Sequence, residues 1–170
     1  MRVTKRFLAL ILLLIAVGCD RVTKHLATTH LADKPALSYL GDTLRLEYAQ
    51  NTGAFLGLGS RLPEPIRFGL FTVGVAAALT TILIVALIRR WHGFSLAGVV
   101  LLFAGGFSNL IDRVIQGSVV DFASVGIGSL RTGIFNIADV AIMLGGIFVV
   151  IGSSGDTAKK STGKKADYED

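Results

Sequence analysis

Long apolar runs with almost no charge restrict the fold of this sequence more than any other feature. The run 66–88 contains one charged residue, Arg67, near its start, and two further runs occupy 94–111 and 134–151. A helix needs about 20 mostly apolar residues to cross the ~30 Å hydrocarbon core of a bilayer, and an arginine near its end can extend its charge to the interface. Only 17% of the residues are charged, and the mean hydropathy is +0.64. These values are typical of a membrane protein.

A fourth apolar run, 7–18, is followed at once by Asp20, Arg21 and Lys24. A helix built on this run reaches the required length only if its last turns are polar. We therefore predict an all-α membrane protein in which residues 1–152 form a single integral membrane domain. The predicted transmembrane helices lie at about 7–26, 66–88, 94–114 and 134–152.

Basic residues mark the orientation of these helices. They cluster before the first helix, between the second and third, and after the fourth: Arg2, Lys5, Arg6, Arg89, Arg90, Lys159, Lys160, Lys164 and Lys165. The positive-inside rule then predicts that both termini are cytoplasmic. The tail 153–170 lacks apolar periodicity and is predicted to be disordered. The formal net charge of +5 is thus explained by topology, and no nucleic-acid partner is expected.

The long segment after the first helix shows a strand pattern. Leu44, Leu46 and Tyr48 alternate with charged residues, and 51–53 (Asn-Thr-Gly) is a turn signal. Residues 118–122, in the second loop predicted on the same side of the membrane, are also strand-like because they are rich in valine. We predict a small extracytoplasmic β-sheet that lies on the membrane surface as a cradle.

Four carboxylates fall on one side of the predicted bundle: Asp20, Asp112, Asp121 and Asp139. Ionisable groups in or beside spanning helices are costly and usually face the bundle interior or a water-filled cavity. A single such acid is more often a packing or salt-bridge device than a catalyst, but four at one face indicate a polar cavity that opens outward.

Asp121 and Asp139 are the best candidates for a catalytic pair, since one lies on a loop and the other begins the following helix. Two close carboxylates share one proton, so that one acts as general base and the other as general acid. Asp20 and Asp112 are better placed for structural pairing with Lys24 and Arg113. Amides recur at helical spacing from these acids.

Metal and cofactor chemistry finds no support in the sequence. The single cysteine, Cys19, excludes an internal disulfide and a cysteine zinc cluster. The three histidines are scattered without metal-ligand spacing. We expect neither a metal nor a cofactor.

Five short motifs, in order and spread from residue 20 to residue 139, resemble those of lipoprotein signal peptidase, also called signal peptidase II. The motifs are Asp20-x-x-Thr23-Lys24, Asn51-Thr52-Gly53-Ala54, Asn109-Leu110-Ile111-Asp112-Arg113, Val119-Val120-Asp121-Phe122 and Phe135-Asn136-Ile137-Ala138-Asp139. Any one of them is a weak signal, whereas five in order are specific.

The resemblance implies an intramembrane aspartic endopeptidase of the bacterial inner membrane with its active site at the extracytoplasmic face. Such enzymes cut the signal peptide from a prolipoprotein just before its diacylglyceryl-modified cysteine. They work among membrane lipids, need no metal and are inhibited by the cyclic peptide globomycin. By motif match, the catalytic residues are Asp121 and Asp139, the substrate-binding residues are Asn51, Gly53, Asn109, Arg113 and Asn136, and the supporting residues are Asp20, Lys24 and Asp112.

Three positions depart from the family pattern. Arg21 replaces a usual glutamine, Ser108 replaces a common glycine, and Phe55 replaces a small residue. The bulk of Phe55 is expected to narrow the cleft or to change inhibitor sensitivity.

Two other classes of function compete with this interpretation. The basic start, apolar run and Ala16-Val17-Gly18-Cys19 resemble the signal sequence of a lipoprotein lipidated at Cys19. A small ion or proton channel or transporter subunit would also use intramembrane acids, but would spread them through the membrane depth.

Overall fold

The computed structural model describes residues 3–54, 57–89, 91 and 93–166, with side chains up to residue 153. The described chain is mainly helical, with a π-helical segment, Phe68–Gly74, that joins the second and third α-helices. The α-helices are α1 (Val3–Leu31), α2 (Glu64–Arg67), α3 (Val75–Ile88), α4 (Gly93–Gln116) and α5 (Ile137–Ala166).

Two helical stretches of the described chain are long and apolar enough to cross a bilayer. They are Glu64–Ile88, which runs through α2, the π-helical segment and α3, and Gly93–Gln116, which is α4. Ile137–Ser153 is a shorter apolar helix. The predicted helices 66–88 and 94–114 therefore correspond to observed helices whose ends differ by no more than two residues.

The first helix is longer than predicted. α1 has 29 residues, about 44 Å at 1.5 Å per residue, and continues past the predicted end at residue 26. Its last turns are retained because Ala27 and Leu31 are buried in a small core with Val120 of the sheet. Packing against the sheet thus stabilises turns that the apolar pattern alone does not require.

The last helix also differs from the prediction at both ends. α5 begins at Ile137, not 134, and it continues to Ala166, whereas the sequence predicts a helix end at 152 and a disordered tail. The segment contains no proline to end the helix, and its alanines and lysines favour helix, although its glycines, serines and threonines are weaker helix formers. The final residues of that predicted tail, 167–170, lie outside the described part.

Four strands form one antiparallel sheet in the order β1-β2-β3-β4. They are β1 (Leu37–Tyr39), β2 (Leu44–Asn51), β3 (Val119–Ile127) and β4 (Leu130–Arg131). The sheet and β2 confirm the strand prediction for the first long loop. A β-bulge between Leu46 and Ala49 interrupts the alternation, and the register beyond it pairs Ala49 with Asp121.

Glycines allow α4 and α5 to pack closely, and this pair forms the most extensive contact between elements. A Cβ atom on Gly98 would lie 2.7 Å from the carbonyl oxygen of Gly145. Similarly, a Cβ atom on Gly105 would collide with the carbonyl oxygen of Ala138. Small residues at helix crossings permit such close backbone approach. The contact at Ala138 fixes the start of α5 against α4.

Candidate functional site

The start of α5 is capped by side chains that also belong to the site. The amide oxygen of Asn136 accepts a hydrogen bond from the backbone N–H of Asp139 at 2.9 Å. In return, Oδ2 of Asp139 accepts one from the backbone N–H of Asn136 at 3.2 Å. This reciprocal arrangement is a capping box, which satisfies N–H groups that a helix leaves unpaired at its first turn. It fixes the position of the Asp139 carboxylate.

Asp121 is brought to this helix start by β3. Its Oδ1 accepts a 2.6 Å hydrogen bond from Nδ2 of Asn136, and its Oδ2 accepts a 2.8 Å bond from Nδ2 of Asn51. Asn136 therefore contacts both predicted catalytic carboxylates, through its side-chain nitrogen and through its capping interactions with Asp139. The structure thus brings Asp121 and Asp139 together around a single amide.

The environment of Asp121 favours its protonated form. Only 2% of the residue is exposed, and burial raises the pKa of its carboxyl from 3.8 to about 6. The charge of Asp139 adds to the rise, while the hydrogen bonds from Asn51 and Asn136 oppose it. Burial and a neighbouring like charge both disfavour an ionised carboxyl. A pair of carboxyls in this environment can hold one proton between them near neutral pH.

Behind the pair lies a buried ionic cluster that we call the Lys24 cluster, formed by Asp20, Arg21, Lys24 and Asp112. Nζ of Lys24 lies 2.8 Å from Oδ2 of Asp20 and 2.7 Å from Oδ2 of Asp112. Arg21 forms a further ion pair with Asp112. Two carboxylates thus face two cations, which is the condition under which buried charges are tolerated.

The Lys24 cluster is joined to Asp139 through Asn109. Lys24 donates a 2.7 Å hydrogen bond to Oδ1 of Asn109, and Nδ2 of Asn109 donates a 3.0 Å bond to Oδ1 of Asp139. An ammonium group has donors only. It therefore turns the oxygen of the amide towards itself and the nitrogen towards Asp139, so that Asp139 accepts a hydrogen bond at each oxygen.

Asp20 connects the same cluster to the backbone of α5. Its Oδ1 accepts a 2.8 Å hydrogen bond from the N–H of Ala138, and its Oδ2 accepts a 2.6 Å bond from the hydroxyl of Ser108. A carboxylate at a helix N-terminus also interacts favourably with the helix dipole. Asp20 and Lys24 form the predicted structural pair, and Ser108 is a further partner that no sequence pattern predicts.

The predicted pairing of Asp112 with Arg113 is not observed. Asp112 faces Lys24 and Arg21 instead, because consecutive helix residues do not share a face. Arg113 turns to the loop after β2, where its Nη2 donates a 2.6 Å hydrogen bond to the carbonyl oxygen of Gly53. Arg113 and Gly53, both predicted to bind substrate, therefore contact each other.

Asn51 and Gly53 form a tight turn at the mouth of the site. The N–H of Gly53 donates a 2.9 Å hydrogen bond to Oδ1 of Asn51, as in an Asx turn. A Cβ atom on Gly53 would lie 2.8 Å from the backbone nitrogen of Ser60, so the turn requires glycine. The predicted turn is confirmed, while the neighbouring Phe55 lies outside the described residues.

A cleft of about 210 Å³ gives access to Asp121. Asn51, Thr52 and Ile134 are among its lining residues. Asp139 is not among them. In the described part of the chain, no group of three or more His, Cys, Asp or Glu side chains could hold a metal ion. The carboxylate pair and its amide donors are an arrangement that suits acid and base chemistry.

Long apolar helices and a small sheet that enclose buried carboxylates are the architecture of a membrane enzyme. A solved structure of a bacterial membrane enzyme, determined by the in meso method at 2.3 Å resolution, superposes with a TM-score of 0.76 and is 29% identical. The similarity covers 89% of this chain and 90% of that one.

The family model for signal peptidase (SPase) II matches residues 11–154. The lipoprotein signal peptidase of Chlorobium phaeobacteroides is 36% identical over 146 residues, which cover 81% of this chain and 89% of that protein. The enzyme of the same name from Clostridioides difficile is 30% identical over 146 residues, covering 85% and 93%. The chain therefore belongs to the signal peptidase II family. This confirms the resemblance drawn from the five motifs and lends no support to the lipoprotein or channel alternatives.

Proposed function

We propose that this protein is a lipoprotein signal peptidase that hydrolyses one peptide bond of a prolipoprotein, just before the diacylglyceryl-modified cysteine. Membership of the family supports the substrate class. The observation that carries the aspartic mechanism is the pair of buried carboxylates, Asp121 and Asp139, held by the amide of Asn136. A shared proton on this pair gives one general acid and one general base.

In the proposed reaction, the ionised carboxylate takes a proton from water as the water oxygen attacks the scissile carbonyl carbon. The protonated carboxyl hydrogen-bonds to the carbonyl oxygen as charge develops there. Collapse of the tetrahedral intermediate breaks the C–N bond, and a carboxyl proton passes to the leaving nitrogen. The products are a signal peptide with a new carboxylate and a lipoprotein with a free amine, and no covalent enzyme intermediate forms.

The hydrogen bonds divide the proposed substrate-binding residues into two groups. Asn51 lines the cleft, and Gly53 and Arg113 meet beside it, which supports contact of these three with the substrate backbone. Asn109 and Asn136 are buried and bonded to the carboxylates. Their contacts support a role in holding Asp121 and Asp139, with Asp20, Lys24 and Asp112 as the support behind them.

For the membrane, we propose four transmembrane helices in the bacterial inner membrane, with both termini cytoplasmic and the sheet at the extracytoplasmic face. The two long apolar helices and the positions of the basic residues support this topology. Prolipoprotein and lipid then approach the cleft from the outer leaflet, and globomycin is expected to compete for the same cleft.

The test is cleavage of a diacylglyceryl prolipoprotein by the purified full chain, followed by gel shift with and without globomycin. Asp121→Asn and Asp139→Asn keep side-chain size but remove the base, so each is expected to lower the rate by at least about 10³-fold. Asp33→Asn, at an exposed aspartate, is the matched control and should cleave normally.

Thermal unfolding of each variant shows whether it is folded. Cleavage near the wild-type rate by either folded variant would rule out the pair as the catalytic group. Inhibition of the wild type by globomycin is expected in the same assay.

A further inference from the structure

Arg67 is the one charged residue of the run 66–88, and its side chain turns towards the protein. Its Nη1 donates a 3.0 Å hydrogen bond to the hydroxyl of Thr52 and another 3.0 Å bond to the carbonyl oxygen of Ser60. One guanidinium nitrogen thus joins the residue that follows β2 to a residue eight positions later. The membrane interface, which explains an arginine at a helix end from sequence alone, does not explain these bonds.

Both acceptors of Arg67 are neutral. Among the described residues, no carboxylate lies within ion-pair distance of its guanidinium. Thr52 and Arg67 also line a cavity of about 90 Å³ together with Arg113, whose own guanidinium holds the carbonyl oxygen of Gly53. Two arginines from different helices therefore hold adjacent residues, Thr52 and Gly53, from the same side.

The two residues that Arg67 holds, Thr52 and Ser60, belong to the wall of the cleft that gives access to Asp121. Thr52 and Ser60 line the cleft together with Asp121, and Asn51, which bonds to Asp121 at 2.8 Å, directly precedes Thr52. Loss of the Arg67 bonds leaves Asn51 bonded to Asp121, but frees Thr52 relative to Ser60. The wall that faces the substrate would change more than the carboxylate pair.

We propose that Arg67 is a positioning residue that fixes the substrate-facing wall of the cleft by clamping Thr52 to Ser60. The clamp itself is a structural claim, and its effect on cleavage rests on the proposed peptidase function. Arg67 does not touch the reacting atoms. Its removal should therefore weaken substrate binding while the chemical step stays largely intact.

The first experiment measures the clamp without using activity. Hydrogen exchange of the full chain is followed at the amides of Gly57, Ser60 and Leu62, which bond to carbonyl oxygens of Ala54, Gly57 and Gly59. Arg67→Met preserves an unbranched apolar stem but removes the hydrogen-bond donors. It should speed exchange at these three amides by about tenfold. Arg61→Met is the control, because Arg61 is exposed and, within the described residues, no hydrogen bond or ion pair is recorded for it. It should exchange like the wild type.

The second experiment measures cleavage of a diacylglyceryl prolipoprotein. Arg67→Met should raise KM by about tenfold and change kcat by no more than about twofold, the pattern of lost binding that is shared by ground and transition states. Arg67→Lys should return KM most of the way to the wild-type value, because both bonds come from one nitrogen and an ammonium group has three donors. Thr52→Val, which removes only one of the two acceptors of Arg67, should give a KM between those of the wild type and Arg67→Met.

Each outcome decides the proposal. Unchanged exchange in a folded Arg67→Met variant overturns the clamp, whatever the activity. Faster exchange with an unchanged KM, or with a loss confined to kcat, overturns the positioning role. Arg67→Lys behaving like Arg67→Met overturns the hydrogen-bond explanation. If the wild-type protein cleaves no prolipoprotein, the proposed function fails, while the exchange measurement still tests the clamp.

Discussion

Two pairs of buried aspartates lie within one small region, and their partners differ. Asp20 and Asp112 contact the cations of the Lys24 cluster directly. Asp121 and Asp139 accept their side-chain hydrogen bonds from amides, and Asn109 links Lys24 to Asp139 by hydrogen bonds. A nearby cation favours the ionised form of a carboxylate, whereas burial raises the pKa of Asp121 to about 6 despite its amide donors. The same residue type is thus structural in one pair and suited to proton transfer in the other.

The largest expected effect comes from removing the cation that the structural pair shares. Lys24→Met removes the cation that Asp20 and Asp112 share and leaves Asp112 paired with Arg21. Breaking a buried ion pair costs about 3–5 kcal/mol of unfolding free energy. Lys34→Met, at an exposed lysine, is the control and should stay within about 0.5 kcal/mol. Denaturant unfolding in micelles measures both. A Lys24→Met loss below about 1 kcal/mol would show that the two pairs do not differ as described.

The second prediction concerns the pH dependence of the catalytic pair. The native pKa of Asp121 lies at about 6, above its unfolded value near 3.8, so the native state binds more protons between these values. The stability of the wild type relative to Asp121→Asn should therefore fall as the pH rises from about 4 to about 6, and stay level above that. The pKa difference corresponds to about 3 kcal/mol. Thermal unfolding of both proteins across this pH range measures it, and a difference that does not vary with pH would contradict the raised pKa.

The third prediction concerns the close contact between Gly105 of α4 and Ala138 of α5, and its expected effect is smaller. Gly105→Ala would force α4 away from Ala138, whose N–H bonds to Asp20. Overpacking of this kind costs about 1–3 kcal/mol, against a helix-propensity gain of about 1 kcal/mol for alanine over glycine. Gly146→Ala is the matched control, since nothing lies within 4 Å of its added Cβ. The stability of Gly146→Ala should equal or exceed that of the wild type. The rate of prolipoprotein cleavage should fall in Gly105→Ala and not in Gly146→Ala.

The smallest effect is expected at Arg21, the residue that departs from the family pattern. Its side chain is 41% exposed, so its ion pair with Asp112 is partly screened, and Arg21→Gln should cost no more than about 1 kcal/mol. Unfolding measured at low and high salt should show a difference that shrinks as salt is added. A loss as large as that of Lys24→Met would mean that Arg21 contributes as much as Lys24 to neutralising the cluster.

Much of the site was predictable from sequence because polar residues stand out in apolar helices. Asp139, Asn109 and Asn136 stand out in this way, and the spacing of Asn136 and Asp139 also carries a capping-box signal before an apolar run. Asp121 stands out as the acid of a valine-rich loop between two apolar runs. The capping-box signal predicts that α5 starts at Ile137, as observed, whereas the apolar run alone predicts a start at residue 134. No comparable signal marks Arg67, whose position in the sequence fits an interfacial arginine equally well.

The sequence by itself determined which segments are apolar, which acids lie at the ends of these segments, and that a strand precedes the Asn51 turn. Only the tertiary structure decided which acid meets a cation and which meets an amide. Helical spacing specifies the residues that share one face, but not the side chains that face them from another helix. Asp112 shows this, because its neighbour Arg113 points to Gly53 while its cations come from α1. Contacts between distant segments therefore decide the electrostatic surroundings of each carboxylate, and with them the chemistry that each can perform.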